Sequence, residues 1–393
     1  MPIGELKNSL YACGVGLLGL RSRCDEIIQC GPDGSLETDP TIRLRQIWRG
    51  SHVIGGGVAT LANGRPDALY LSGLKRLKPR EPVTETTVFR TASIAKLAAA
   101  LLVMCLHQEG RLSVDEDVSA FLGYKLRNPL YPEQPILLKH LLSHSSGIVD
   151  TPAYERSYRQ PTALDDLLRR DPQAFSAYAP GAKYQYSNLG AGTIAAMLEL
   201  RFGRSFEAMM QELVFAPLGV TGTFDLSTVD PERMTDIYRI LPASATPRFD
   251  GRARIAKAKP LTEPDPQWHY TAGIGNLYIT PRELAKLGLP LIEANAEGDA
   301  AFLTRETLRL MKTPMVRYPG DELSIWHCLG LMQYTPKGQS PLYGHQGFAY
   351  GCVNGLFIRD ENRRGFASLN SGCSEHRAER LGTINRKLAE LFL

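Results

Sequence analysis

Ser93 and Lys96 stand three residues apart in Thr91-Ala-Ser-Ile-Ala-Lys96. On a helix, that spacing puts them on one face, a single turn from each other. A serine hydroxyl beside an amine is the beginning of nucleophilic catalysis, in which a base takes the hydroxyl proton as the oxygen attacks a carbonyl. The pattern Ser-x-x-Lys is short and occurs a second time, as Ser72-Gly-Leu-Lys75. The second copy lies at the end of an expected strand with no apolar helix behind it, and is set aside. Ser93 differs in the residues on its C-terminal side. Alanine and leucine, both good helix formers, dominate the stretch up to Gly110, which is placed to end a helix. From Leu97 to Leu106 the run is apolar on every side. A helix of that kind is buried in a core or crosses a membrane, and a crossing needs roughly 20 apolar residues. The stretch therefore predicts a central core helix with Ser93 in its first turn, where free N–H groups and the helix dipole favour negative charge. An N-cap serine is the ordinary structural alternative.

Two further clusters carry matching chemistry. In Tyr184-Gln-Tyr-Ser-Asn188, Tyr186 and Asn188 are two apart, so in extended backbone both point the same way. A phenol has a pKa near 10, and a neighbouring ammonium lowers it. Tyr186 beside Lys96 is thus expected to lose its proton readily and to serve as general base, then general acid. Asn188 offers an amide for positioning. In Tyr343-Gly-His-Gln-Gly-Phe-Ala-Tyr-Gly351, His345 and Gly347 fall on a glycine-rich strand, where missing side chains let backbone approach closely.

The framework that holds these groups can be read from pattern. Thr41 to Trp48 reads as helix. Gly55 to Leu61 and Ala68 to Gly73 read as strands joined at Asn63-Gly64. Gly55-Gly-Gly57 suggests close packing against something bulky. A short helix opens at Ser113 to Val118, and another runs from Ile136 to His144. From about 150 to 300 the pattern is mostly helical, with helices at Asn188 to Phe202, Phe206 to Phe215 and Pro281 to Glu293. Strands return at 344–347, 352–358 and 366–370. Leu381, Ile384, Leu388 and Leu391 mark a final amphipathic helix. Strands at both ends with helices between them predict one sheet built from the two termini around an inserted helical region. Residues 1–38 are treated as an N-terminal extension, 39–90 and 322–393 as an α/β part, and 91–321 as a helical part.

With 45 basic and 41 acidic residues the net charge is +4, too small to indicate nucleic acid as a partner. Seven cysteines, an odd number without metal spacing, fit a reduced chain better than a disulfide framework. The first twenty residues lack a clear cationic start and cleavage site, so a cytoplasmic location is expected, with secretion or a periplasmic location as the alternative. His140-Leu-Leu-Ser-His144 has i, i+4 histidine spacing but no accompanying glutamate, so it reads as structural. No metal and no cofactor are expected, and no membrane span is seen.

Taken together, Ser93-Ile-Ala-Lys96, Tyr186-Ser-Asn188 and His345-Gln-Gly347 resemble, in order, the motifs of the serine β-lactamase and D-alanyl-D-alanine carboxypeptidase superfamily. The nearest likeness is to the group holding class C β-lactamases, D-aminopeptidases and related carboxylesterases. Leu141-Leu-Ser-His-Ser-Ser-Gly147 and Phe215-Ala-Pro-Leu-Gly219 extend the match, which runs from about residue 42 to 393. The resemblance implies an α/β (α+β) fold of the β-lactamase/transpeptidase type, with a mixed antiparallel sheet from both chain ends flanked by helices. It also implies a hydrolase acting on a small ester, amide or peptide through an acyl-Ser93 intermediate. Lys96 would help deprotonate Ser93, and Tyr186 would serve the leaving group and then water. The N–H groups of Ser93 and Phe348 would form the oxyanion hole, and Asn188, His345 and Gly347 would contact substrate. His345 stands where many β-lactamases carry lysine, and a mostly neutral imidazole is a weaker partner for a substrate carboxylate. A peptidoglycan carboxypeptidase or β-lactamase, and a penicillin-binding sensor without turnover, are the rival readings. The natural substrate and the oligomeric state stay open.

Overall fold

A computed structural model describes residues 27–30, 39–241, 244–296, 298, 301–319, 324–378 and 380–393. The apolar run near the N-terminus, together with Cys13 and Cys24, lies outside the described residues. The main sheet comprises β1 (Ile27–Cys30), β2 (Gly55–Ala62), β3 (Arg65–Arg76), β4 (Glu81–Pro82), β5 (Val316–Arg317), β6 (Ser324–His327), β7 (Met332–Thr335), β8 (Leu342–Ala349), β9 (Cys352–Arg359) and β10 (Arg364–Asn370). The strand order is β1-β3-β2-β10-β9-β8-β7-β6-β5, with β4 paired to the far part of β3. Neighbouring strands are antiparallel throughout. The closing step is β2 against β10, which sets Gly56 opposite Asn370. The expectation of one sheet drawn from both chain ends therefore holds.

Both faces of the sheet are covered, as the alternation along β9 makes plain. Leu356 and Ile358 point into a large core shared with helix α2 (Ala95–Gln108), while Val353 and Phe357 point into a second core. Successive strand side chains face opposite sides, so a strand buried end to end must serve two layers. The second core is closed by Leu44 and Trp48 of α1 (Asp39–Gly50) and by Ile384 and Leu388 of the final helix (Thr383–Phe392). Every residue of α2 from Ala95 to Leu106 is buried, the run from Leu97 onward as its all-apolar surface requires and Lys96 along with it. Helix α3 (Asn188–Phe202) packs in the same core and ends at Gly203, whose φ of +61° is a left-handed cap.

Several expectations are corrected. Residues 113–117 are not helical, Asp117 bridging to Leu137, and the short helix starts at Val118, capped by the Asp117 carboxylate. The helix expected over 136–144 is confined to Leu138–Leu142. The helix expected to reach Glu293 stops at Lys286. Pro290 lacks a backbone N–H, and the chain continues as 3-10 turns at Leu289–Leu291 and Glu293–Asn295. Between 150 and 300 the chain also contains a β-hairpin, Ile237–Leu241 with Ser244–Phe249, and residues 324–335 add two strands that pattern did not reveal. Gly55 and Gly56 lie against strand backbone rather than a bulky side chain. A Cβ at Gly55 would fall 2.3 Å from the Leu74 carbonyl oxygen, whereas one at Gly57 would meet Pro281 at 2.7 Å. Among the described residues, no helix is long and apolar enough to cross a membrane.

Candidate active site

Ser93 sits in a 3-10 turn, Ala92–Ile94, that leads directly into α2. The turn is held from several sides. Thr91 N–H donates to the Leu277 carbonyl at 2.9 Å, and the Asn354 amide donates to the Arg90 carbonyl at 3.1 Å. Ala92, just before the serine, has a φ of +54°. For a residue with a Cβ, that conformation costs about 1–2 kcal/mol, so the surrounding contacts must enforce it.

The Ser93 hydroxyl receives two partners at once. Tyr186 OH donates to Ser93 Oγ at 2.8 Å, and Lys96 Nζ lies 3.2 Å from the same atom. Lys96 Nζ also donates to Asn188 Oδ1 at 2.9 Å and to the Ile274 carbonyl at 2.6 Å. Asn188 is fixed in turn by Asp150, whose carboxylate accepts from the Asn188 side-chain amide at 2.8 Å and from Asn188 N–H at 3.0 Å. The other Asp150 oxygen accepts from Leu189 N–H and Ser187 Oγ, both at 2.9 Å. Asp150 thus supplies negative charge to the first turn of α3, where helix N–H groups are otherwise unpaired. Sequence reading missed it because its partners lie nearly forty residues away, and no local pattern marks such a contact.

Burial governs the ionisation of this cluster. Lys96 is almost wholly enclosed, and desolvation lowers its pKa to about 7. Asp150 opposes that shift, and Arg90 adds slightly to it. Tyr186 moves the other way. Burial raises its pKa above the ordinary phenol value, outweighing the hydrogen bond to Ser93. The expected acidic phenol is therefore corrected: Lys96 lies over the Tyr186 ring, 5.1 Å from its centre, and no Lys96–Tyr186 hydroxyl hydrogen bond accompanies it. At neutral pH the amine is the group nearer its titration point.

The third motif arrives on β8. Gly347 passes so close to the serine turn that a Cβ there would lie 2.2 Å from the Thr91 carbonyl and 3.2 Å from Ser93 N. The close approach inferred from the glycines is real, and its partner is the backbone of the turn that carries Ser93. His345 is buried. Burial, reinforced by the Lys96 charge, holds its pKa down at about 4, so the ring is neutral. Its Nδ1 lies 2.7 Å from the Gln346 carbonyl, a contact that places the proton on Nδ1 and leaves Nε2 as an acceptor. His345 and Phe348 line the same cavity as Ser93, Tyr186 and Asn188, a space of about 1430 Å³.

The two histidines of the i, i+4 pair play separate parts. His140 Nδ1 accepts from Leu137 N–H at 3.2 Å. His144 packs its ring on Tyr186 with centres 4.2 Å apart, and its Nδ1 accepts from Ser187 N–H at 3.4 Å. The second Ser-x-x-Lys copy stays on β3, where Lys75 pairs with Glu81 at 3.5 Å.

A serine in the turn that enters a core helix thus meets a buried lysine, a tyrosine from a distant loop and a glycine-rich strand at one cavity. The family model described as Beta-lactamase matches residues 43–389, and the chain belongs to that family. Esterase EstB of Burkholderia gladioli is 30% identical over 233 residues, covering 55% of this chain and 56% of that protein. Penicillin-binding protein 4* of Bacillus subtilis is 26% identical over 179 residues, 44% of this chain and 38% of its own. The chain thus spans about half the length, or less, of these curated relatives. Among solved structures, EstCE1, a hydrolase with promiscuous acyltransferase activity, superposes with a TM-score of 0.70 at 20% identity over 90% of this chain and 98% of its own. The D-amino acid amidase from Ochrobactrum anthropi gives 0.66 at 22% identity, covering 90% and 97%. These likenesses establish the β-lactamase/transpeptidase-like fold.

Proposed function

We propose that this chain is a serine hydrolase that opens ester or amide bonds through an acyl-Ser93 intermediate, in the branch that holds class C β-lactamases and their esterase relatives. The observation that carries this reading is the pair of contacts on Ser93 Oγ, from Tyr186 at 2.8 Å and Lys96 at 3.2 Å. In its neutral form Lys96 accepts the Ser93 proton as Oγ bonds to the substrate carbonyl carbon. The carbonyl π electrons move to oxygen, facing the N–H groups of Ser93 and Phe348, each worth about 3 kcal/mol in a formed oxyanion hole. As the carbonyl re-forms, the leaving group departs with the Tyr186 hydroxyl proton, and the Lys96 ammonium returns a proton to the phenolate by way of Ser93 Oγ, which both groups contact. Water then repeats the sequence on the acyl-enzyme and frees Ser93.

A phenol of raised pKa suits the role of acid better than that of resting base, and an amine of pKa about 7 suits that of base. With His345 neutral, the position that a lysine occupies in many β-lactamases carries no charge, which favours esters over β-lactams. Ser93→Ala should abolish turnover of 4-nitrophenyl acetate and labelling by a fluorophosphonate. Unchanged turnover rejects the proposal, and a stable wild-type adduct without turnover of any ester points instead to a sensor.

A further inference from the structure

A second cavity, of about 760 Å³, adjoins the catalytic one: Tyr158, Leu226, Asn276 and Tyr278 line both, and so do Arg159, Arg254 and Lys259. Together they exceed what a small acetate or amino-acid ester fills, since sites for drug-sized ligands run to about 300–1,000 Å³. The second cavity has an apolar wall of Phe224, Leu226 and Leu261. Its remaining surface carries four cations, Arg159, Arg254, Lys257 and Lys259, against one carboxylate, Asp250.

That carboxylate is already engaged, accepting from Ala253 N–H at 2.9 Å to cap the short helix Gly251–Ile255. Arg252, on the same helix and absent from the cavity lining, is neutralised by Glu81 and Glu232. Among the described residues, no carboxylate pairs with any of the four cations that line the cavity. Arg252 is thus half-buried and compensated, whereas Arg159, Arg254, Lys257 and Lys259 stand at the cavity's solvent-facing wall without a carboxylate partner among the described residues. Cations gathered on a concave wall focus a positive field into it and raise the local concentration of anions. A lining that is apolar on one side and cationic on the other fits a chain ending in a negative group.

We propose that this second cavity is a subsite for the anionic end of an extended substrate, an aliphatic or aryl spacer with a terminal anion such as a carboxylate, joined to the bond that Ser93 opens. The inference rests on the hydrolase reading above and adds the substrate class. The test compares mono-4-nitrophenyl suberate with 4-nitrophenyl octanoate, which match in acyl length and differ in the distal charge. At low ionic strength, kcat/KM should favour the suberate by about tenfold or more, and added salt should erode that preference. Mono-4-nitrophenyl succinate, whose carboxylate stays beside the serine, should gain less over the butyrate. The double variant Arg254→Glu/Lys257→Glu should bring the suberate-to-octanoate ratio to one or below, with circular dichroism confirming its fold. Hydrolysis of both esters with equal kcat/KM, or a preference indifferent to the charge reversal, overturns the subsite while leaving the hydrolase in place. Binding of monomethyl suberate to Ser93→Ala, followed through Trp268 at the cavity wall, separates the two ideas. Binding that the charge reversal weakens supports the subsite even if no ester is turned over, in which case the hydrolase reading alone fails. Binding unaffected by it overturns the subsite.

Discussion

Replacing Asp150 with asparagine should move the pH dependence of the proposed hydrolysis without touching Ser93. The carboxylate and Lys96 Nζ grip opposite ends of one amide, that of Asn188, at 2.8 and 2.9 Å. Charges separated by roughly 7 Å, at an effective dielectric constant of about 20, interact by about 2 kcal/mol. Asp150 stabilises the ammonium form of Lys96 against burial, so removing its charge lowers the amine's pKa further. Only neutral Lys96 accepts the serine proton, so wild-type kcat/KM should fall as pH drops through about 7. In Asp150→Asn, that acid limb should shift downward by about one to two pH units. The variant should also be less stable by about 1–3 kcal/mol, because an asparagine NH2 must face N–H or O–H donors that now meet carboxylate oxygens. The assay is kcat/KM for a nitrophenyl ester across the neutral pH range and on both sides of it, with thermal unfolding measured in parallel. An acid limb that stays in place or rises refutes Lys96 as the base.

Tyr186→Phe should reduce kcat by about 10²–10⁴-fold with little change in KM, since it removes a proton donor rather than binding surface. Steady-state kinetics with a poor leaving group, such as a simple alkyl ester, should show the larger loss. Gly347→Ala should cost most of the activity and about 1–3 kcal/mol, because its Cβ would stand 2.2 Å from the Thr91 carbonyl and must push β8 away from the serine turn. Denaturant titration and ester turnover together check this. Leu101→Ala, at a fully buried position of α2, should cost about 2–5 kcal/mol in stability, read as a fall in the denaturation midpoint.

Much of this arrangement is legible in the residues. The all-apolar run after Ser93 identifies a core helix because a helix with no polar face has nowhere else to go. The three chemical clusters are also readable, since each has a local signature. Local pattern does not carry the environment that sets proton affinity. Lys96 and Tyr186 are each shifted mainly by burial, which depends on walls contributed by His144, His327 and the Ile274 segment. Reasoning from charge proximity alone led to an acidic phenol, and desolvation reversed it. Asp150 was hidden for a related reason, because its hydrogen bonds reach across the chain to residues 187–189. The hairpin at 237–249 and the strands at 324–335 are short pieces whose pairing partners, more than their own alternation, make them strands.

The pairing of β2 with β10 has a consequence for biosynthesis. Gly56 has Ser72 of β3 on one side but gains its other neighbour, Asn370, only from β10, and β8, which presses Gly347 on the serine turn, enters the sheet through β9 and β10. A nascent chain emerging from the ribosome can wind α2 early, yet the turn holding its nucleophile stays unclamped until the last strands are translated. Contacts between such distant segments are slow to form. The cavity around Ser93 should therefore take shape late and all at once, after most of these residues have already been synthesised.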